Sequence, residues 1–216
     1  MINVACVFHS QKNPGKIEYN LSWVDKLYRA VARNLDMPFA FTCLSNVDTS
    51  YNTVKLISKS NGYWNKIELF RKNLFDGPVL YFDLDLIICK NITKVVEQLP
   101  IDKFLMVEEP YKKIHNSSIM YWNGDYSYLY ENYIQNQHSI INEYADISRQ
   151  GNLGDQGYIN ENVKHDTIHN YTNDNFVGWQ HHKINSIILN PSILVFTGTQ
   201  KPNNNLHLDI VKENWI

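Results

Sequence analysis

The sequence predicts an α/β fold on a central, mostly parallel sheet, with residues 1–216 forming one domain. Two observations carry this expectation. The first is alternation: through the first half of the chain, apolar runs of strand length alternate with segments whose apolar residues recur at helical spacing, as in successive βαβ units. The second is size and uniformity. The 216 residues, 44% hydrophobic and 13% aromatic, are enough to bury one core, and no internal repeat, heptad run or low-complexity linker marks a second unit.

Each element has its own signal. Residues 3–8 are an apolar first strand. Trp23, Leu27, Val31 and Leu35 recur about every fourth position, which predicts a helix from Ser22 to Leu35, with Ser22 and Asp25 spaced as a capping box. After Pro38, residues 39–44 are β-like and residues 53–57 form a third candidate strand. Residues 66–73 suggest a short helix stopped by Asp76-Gly-Pro, and residues 79–82 a fully apolar strand running into Asp83. The second half is less regular, with strands expected at residues 104–107 and 118–122 and a tyrosine-rich helix at residues 125–137. The polar tail from residue 201 ends in Asn-Trp-Ile, and a Trp there is expected to dock.

Composition narrows the function classes. Twenty Lys and Arg against 22 Asp and Glu give a net charge of -2, which leaves no basic excess for a nucleic-acid backbone. No apolar run approaches the roughly 20 residues that span a bilayer, and the opening apolar stretch is too short for a signal peptide, so a cytoplasmic location is expected. Cys6, Cys43 and Cys89 are odd in number and lack metal-ligand spacing, which fits reduced thiols.

The strongest chemical signal is Val79-Leu-Tyr-Phe-Asp-Leu-Asp-Leu-Ile-Ile. Asp83 and Asp85 emerge where a strand ends, the edge of an open α/β sheet at which ligands bind. Residues two apart on a strand share a face about 6–7 Å apart, so both carboxylates can converge on one hard divalent cation such as Mn²⁺ or Mg²⁺. The alternative is a strand that has ended in a polar turn. Context has to decide between them.

One context is a phosphatase of the haloacid dehalogenase kind, in which Asp83 would be the nucleophile. That motif is expected near the start of its domain with Thr or Val at position 87; here it follows 82 residues and Ile87 stands there. The second context fits more of the chain. Gly62-Tyr-Trp-Asn-Lys-Ile-Glu-Leu-Phe-Arg-Lys, then Gly77-Pro-Val-Leu-Tyr-Phe-Asp-Leu-Asp, Asn116-Ser-Ser-Ile-Met, Asp155-Gln156 with Asn160 four residues on, and Phe196-Thr-Gly-Thr-Gln-Lys-Pro occur in order. This series resembles the GT-A glycosyltransferases, in particular the glycogenin and lipopolysaccharide galactosyltransferase kind with their small bacterial and viral relatives, over nearly the whole chain.

The resemblance implies a GT-A-like single domain and a metal-dependent transfer of a sugar from a nucleotide-diphosphate donor, UDP-linked, to a glycan or other hydroxyl acceptor with retention of configuration. It implies Mn²⁺ or Mg²⁺ on Asp83 and Asp85, assisting departure of the diphosphate, and Lys201 as a further positive charge there. Lys66 would contact phosphate or ribose, its alternative being a solvated surface lysine. Asp155 would orient the donor sugar and Gln156 face its anomeric carbon, favouring front-side attack; in an inverting enzyme Asp155 is the first candidate base, and a helix N-cap is its structural alternative.

Two positions depart from the pattern. Where relatives carry a metal-binding His, this chain has Val195, Thr197 or Asn203, which leaves His207 as the candidate third metal ligand; the acid that often follows Asp-Gln is Gly157. These departures also allow a nucleotide-sugar-binding module with weak or no transfer activity. Val7, Phe8 and Ser45-Asn46 are the candidates for the nucleotide base pocket at the topological switch point, each able instead to be core or turn. Tyr63-Trp64 is expected to pack beneath the site, and His181-His182-Lys183 to lie in a solvated loop.

Overall fold

Strand residues 2–8 sit at the centre of the molecule because they are apolar on both faces and accept a neighbour on each edge. The computed structural model describes residues 1–10, 19–58, 60, 62–109, 113–149, 152–172, 176–181 and 190–216. Its strands are β1 (Ile2–Phe8), β2 (Phe39–Ser45), β3 (Asn52–Lys55), β4 (Val79–Phe82), β5 (Ile87–Ile88), β6 (Phe104–Glu109), β7 (Ile114–Trp122), β8 (His165–Thr167), β9 (Val177–His181) and β10 (Ile193–Thr197). The α-helices are α1 (Leu21–Asn34), α2 (Thr93–Glu97), α3 (Ser127–Glu143), α4 (Gly154–Asn162) and α5 (Asp209–Asn214).

Seven strands form the main sheet in the order β3-β2-β1-β4-β7-β6-β8. β3, β2, β1 and β4 run parallel, β7 is antiparallel to both β4 and β6, and β8 is parallel to β6. The chain leaves β1 toward β2 on one side and returns to β4 on the other. The C-terminal ends of β1 and β4 therefore flank the switch point, where the crevice of an open α/β sheet lies. A small second sheet, β5-β10-β9, joins β5, which directly follows β4 in sequence, to the late strands β9 and β10.

The pleat sorts the core into two layers. Val4, Cys6, Leu80 and Phe82 face the layer containing Trp23, Leu27 and Val31 of α1 together with β5 and β10. Ala5, Val79 and Tyr81 face the layer of Trp64, Ile67, Phe70, Tyr133 and Tyr158.

Several local expectations are corrected. The cap of α1 is Asn20, whose side chain accepts the Ser22 N–H at 2.9 Å, and not a Ser22–Asp25 box; the Asp25 carboxylate instead accepts the Tyr51 hydroxyl at 3.0 Å. The third strand spans Asn52–Lys55 rather than residues 53–57. The helix expected at residues 66–73 is a 3-10 helix over Gly62–Phe70, buried from Trp64 to Phe70, including Asn65, Lys66 and Glu68. A segment buried on every side has no amphipathic stripe, so its period misleads. Glu68 shows why polar groups survive there: its carboxylate accepts the N–H groups of Ile57 and Ser58. β6 and β7 outrun their apolar cores into a polar extension with a register shift between Met106 and Val107. α3 continues to Glu143 through non-helical Asn136.

Candidate active site

Tyr81, Asp83 and Asp85 occupy every second position where β4 ends. The Asp83 N–H donates to the Ser118 carbonyl of β7 at 2.8 Å, fixing where the chain leaves the sheet. Asp83 Oδ1 accepts the Tyr81 hydroxyl at 2.5 Å and lies 3.0 Å from Lys66 Nζ. Burial, and then the charge of Asp83, push the Tyr81 phenol well above its usual range, so it stays a donor.

Lys66 reaches further. Its ammonium lies 3.0 Å from Asp155 Oδ2, donates to Ser117 Oγ at 2.9 Å, and sits 5.2 Å from the Tyr81 ring centre. Burial alone would lower its pKa, but Asp155 and Asp83 outweigh that and raise it. Burial lifts the Asp155 carboxyl above the ordinary carboxylate range, with Lys66 pulling it down and Asp83 pushing it up. Ser117 Oγ also donates to Asp155 Oδ2 at 3.1 Å, and the Ser117 N–H donates to Gln156 Oε1 at 3.4 Å. One serine thus contacts both members of the Asp-Gln pair.

The backbone of α4 explains that placement. Asp155 is not an N-cap: it is the second residue of the helix, behind Leu153 at the cap, and its side chain turns to Lys66 and Ser117. Gly154 has φ +60°, and a Cβ there would meet the Tyr63 ring at 2.5 Å. Gly157 has the Asn152 carbonyl oxygen 2.1 Å from where its Cβ would be. An acidic side chain has no room here, because the preceding loop packs directly on the helix.

Asp85 is held differently. Its Oδ2 accepts the Tyr19 hydroxyl at 2.7 Å and the Lys201 ammonium at 2.5 Å. Burial, and then Asp85, raise the Tyr19 phenol pKa. Lys201 follows β10 and the Gly198 turn, and its N–H donates to Asn204 Oδ1 at 2.8 Å. The tail is docked as expected: Trp215 Nε1 donates to Asn203 Oδ1 at 2.9 Å, and its ring packs edge-on against Trp23, 5.0 Å between centres. Trp23 in turn lies 4.7 Å from Tyr19.

The remaining candidates are spread more widely. Asn46 joins the ends of β2 and β1, accepting the Ser10 N–H at 2.8 Å. Val7 is half-buried, whereas the Phe8 ring is core and offers no open face for a base. Lys66 is no solvated surface lysine, and its described partners are protein groups rather than open solvent. Trp64 is buried and stacked on Tyr133, but Tyr63 is 59% exposed above Gly154. His207 is exposed, and among the described residues no three His, Cys, Asp or Glu side chains gather to hold an ion, so it is not brought to Asp83 and Asp85. Val195 is buried in β10, and the Thr197 hydroxyl at the end of that strand is buried without a hydrogen-bond partner among the described residues. His182 and Lys183 lie outside the described residues.

The residues present fit a hard divalent cation. Two carboxylates supply oxygen donors, each already facing a positive group, and Mg²⁺-type sites use one or two carboxylates completed by ligand phosphates and water. Sequence reasoning missed Tyr19, Tyr81 and Ser117. The last two had a signal, Tyr81 standing two residues before Asp83 and Ser117 inside the Asn116-Ser-Ser motif; Tyr19 had none.

The fold is GT-A-like, with the carboxylate pair at the switch point of its sheet. Solved structures with this architecture include an active-site mutant of LgtC, with a TM-score of 0.61, 10% identity and coverage of 93% of this chain and 89% of that one. The galactosyltransferase LgtC in complex with donor and acceptor sugar analogs has a TM-score of 0.57 and 11% identity over 93% of this chain and 88% of that one. The glycosyltransferase GlyE of Streptococcus pneumoniae TIGR4 has a TM-score of 0.61 and 11% identity, covering 99% of this chain and 58% of that one. No family model and no curated protein matches the sequence. Among the described residues, no helix is long and apolar enough to cross a membrane.

Proposed function

We propose that this chain is a metal-dependent glycosyltransferase that moves a sugar from a UDP-linked donor to a hydroxyl acceptor, with retention of configuration. The observation that carries this reading is the joined cluster Asp83–Lys66–Asp155, with Asp85 beside it, at the switch point of the sheet. Three carboxylates and two lysines leave an excess of negative charge, so a diphosphate needs a cation to enter. Mn²⁺ or Mg²⁺ on Asp83 and Asp85 would neutralise the diphosphate and stabilise the departing nucleotide.

The chain's own groups do the rest. Tyr81, Tyr19 and the Ser118 carbonyl hold the Asp83–Asp85 segment in place. Lys66 and Ser117 stabilise Asp155 as a carboxylate, able to accept hydrogen bonds from sugar hydroxyls. Gln156, oriented through Ser117, presents a neutral amide beside the sugar, which favours front-side attack over a covalent glycosyl-enzyme. Val7 and Asn46, near the C-terminal ends of β1 and β2, flank the place for the nucleotide base. Thr197, whose hydroxyl is buried, stands at one of the positions where relatives carry a histidine, and we assign the third ligand position to no protein side chain.

The reading is tested by incubating a panel of UDP-sugars with the protein and Mn²⁺ and following UDP release. One donor is expected to be hydrolysed with metal only, and Asp155→Asn is expected to abolish the release while retaining UDP binding. Release that is independent of metal, or unaffected by Asp155→Asn, would overturn the assignment.

A further inference from the structure

Asp85 Oδ2 receives two donors that differ in kind. Tyr19 is neutral and anchored, its ring packed on Trp23, which is itself almost wholly buried. Lys201 is charged, carried on a four-carbon stem from a surface turn, and its side chain keeps 14% exposure. Both donors engage Oδ2, so Oδ1 is the oxygen left to a cation at Asp85, as Oδ2 is at Asp83. A dication on Asp85 would still meet the Lys201 ammonium at close range, with strong like-charge repulsion at a site mostly shielded from water. Moving that ammonium away relieves the repulsion, and its long stem on a turn lets it move where anchored Tyr19 cannot. The same repulsion acts at Asp83, but there Lys66 is locked by Asp83, Asp155 and Ser117.

We propose that Lys201 is an exchangeable counter-ion, which occupies the place of the divalent cation at Asp85 in the free protein and passes to the nucleotide's diphosphate when metal and nucleotide bind together. This inference rests on the metal–nucleotide reading of the site. It makes Lys201 a competitor of the metal alone and a partner of the metal–nucleotide complex. The two ligands then become coupled beyond their direct contact, since each removes a cost that the other would face. Tyr19 keeps its bond to Asp85 through the exchange and so holds the carboxylate in place.

Removing the charge should therefore act with opposite signs on the two ligands. A lysine that merely bound phosphate would leave metal affinity unchanged, and one that merely stabilised the fold would weaken both. Mn²⁺ binding without nucleotide is measured by the loss of the free-ion electron paramagnetic resonance signal, and UDP binding at saturating Mn²⁺ by calorimetry. For Lys201→Met, Mn²⁺ alone is expected to bind about tenfold more tightly, the scale of one charge-assisted hydrogen bond that no longer has to break, and UDP about tenfold more weakly. Lys201→Gln keeps a polar side chain and is expected to give the same pair of signs, so the test survives if the Met variant folds poorly. Unchanged or weaker Mn²⁺ binding in both variants overturns the exchange. If the unmodified protein binds neither Mn²⁺ nor UDP, the reading of the site fails and takes the exchange with it; if it binds both and the variants do not tighten Mn²⁺, the exchange alone fails.

Discussion

Asp83 and Asp85 stand two residues apart, yet each is held by a different part of the chain. Asp83 belongs to a buried network drawn from the 3-10 helix, β7 and α4, in which Lys66 meets two carboxylates at 3.0 Å. Asp85 is held from the edges of the sequence, by Tyr19 ahead of α1 and by Lys201 in the tail. Those two segments are themselves joined through Trp23, Trp215 and Asn203. The difference teaches that one motif can be held by two unlike arms: Lys66 is buried among Asp83, Asp155 and Ser117, while the described partner of the Lys201 ammonium is Asp85.

The largest effect expected from this contrast is on stability. Lys66→Met leaves buried Asp155 and half-buried Asp83 without their counter-charge and should cost about 3–5 kcal/mol in urea unfolding. Lys201→Met should cost only about 1–2 kcal/mol, because Tyr19 still donates to Asp85. Equal losses would erase the distinction between the two arms. Next, Trp215→Ala removes the anchor of the Asp85 side and is expected to lower unfolding free energy by about 3 kcal/mol. Near-ultraviolet circular dichroism should lose the Trp23–Trp215 signal while binding of the Asp155 side is spared.

Gly157→Ala perturbs the opposite arm. Its Cβ meets backbone rather than a flexible side chain, so α4 must shift, at about 1–3 kcal/mol, and catalytic turnover should fall more than UDP affinity. The smallest effect belongs to an exposed pair that serves as a baseline. The hydrogen bond from Lys103, with further bonds from Tyr171, the Thr167 N–H and Asn170, pulls Asp166 down from 3.8 to about 2. A depressed carboxylate stabilises above its unfolded value and loses that contribution as pH falls through its folded one. Asp166→Asn should therefore weaken the fold slightly at pH 7 and not at all near pH 1.5, as followed by thermal melting.

The same contrast governs what the sequence revealed. The parallel sheet, the β4 strand and its carboxylates were legible because a fully apolar strand has no structural need for two acids at its end. Asp155, Gln156 and Lys66 were named through ordered motifs, and the structure brings them together around Ser117, although the bridging contacts of Lys66 depend on burial that its charge conceals. Gly157 marked a departure whose cause is a carbonyl from a loop five residues earlier. Tyr19 was invisible, since its contact with Asp85 joins residues 66 apart and no local pattern records it. Asn20 was passed over as a cap because Ser22 and Asp25 happen to have capping-box spacing, while tertiary contact claims Asp25 for Tyr51.

The most direct measurement of the metal-dependent nucleotide site is the thermal unfolding midpoint with UDP, GDP, CMP or phosphate, each with and without Mn²⁺. A ligand at about 100 times its dissociation constant adds roughly 2.7 kcal/mol, a readily measured shift. UDP is expected to raise the midpoint only when Mn²⁺ is present, and Asp85→Asn to remove that rise. A midpoint that ignores every nucleotide but responds to Mg²⁺ with a phosphate mimic would contradict the glycosyltransferase site and turn Asp83 into a phosphatase nucleophile.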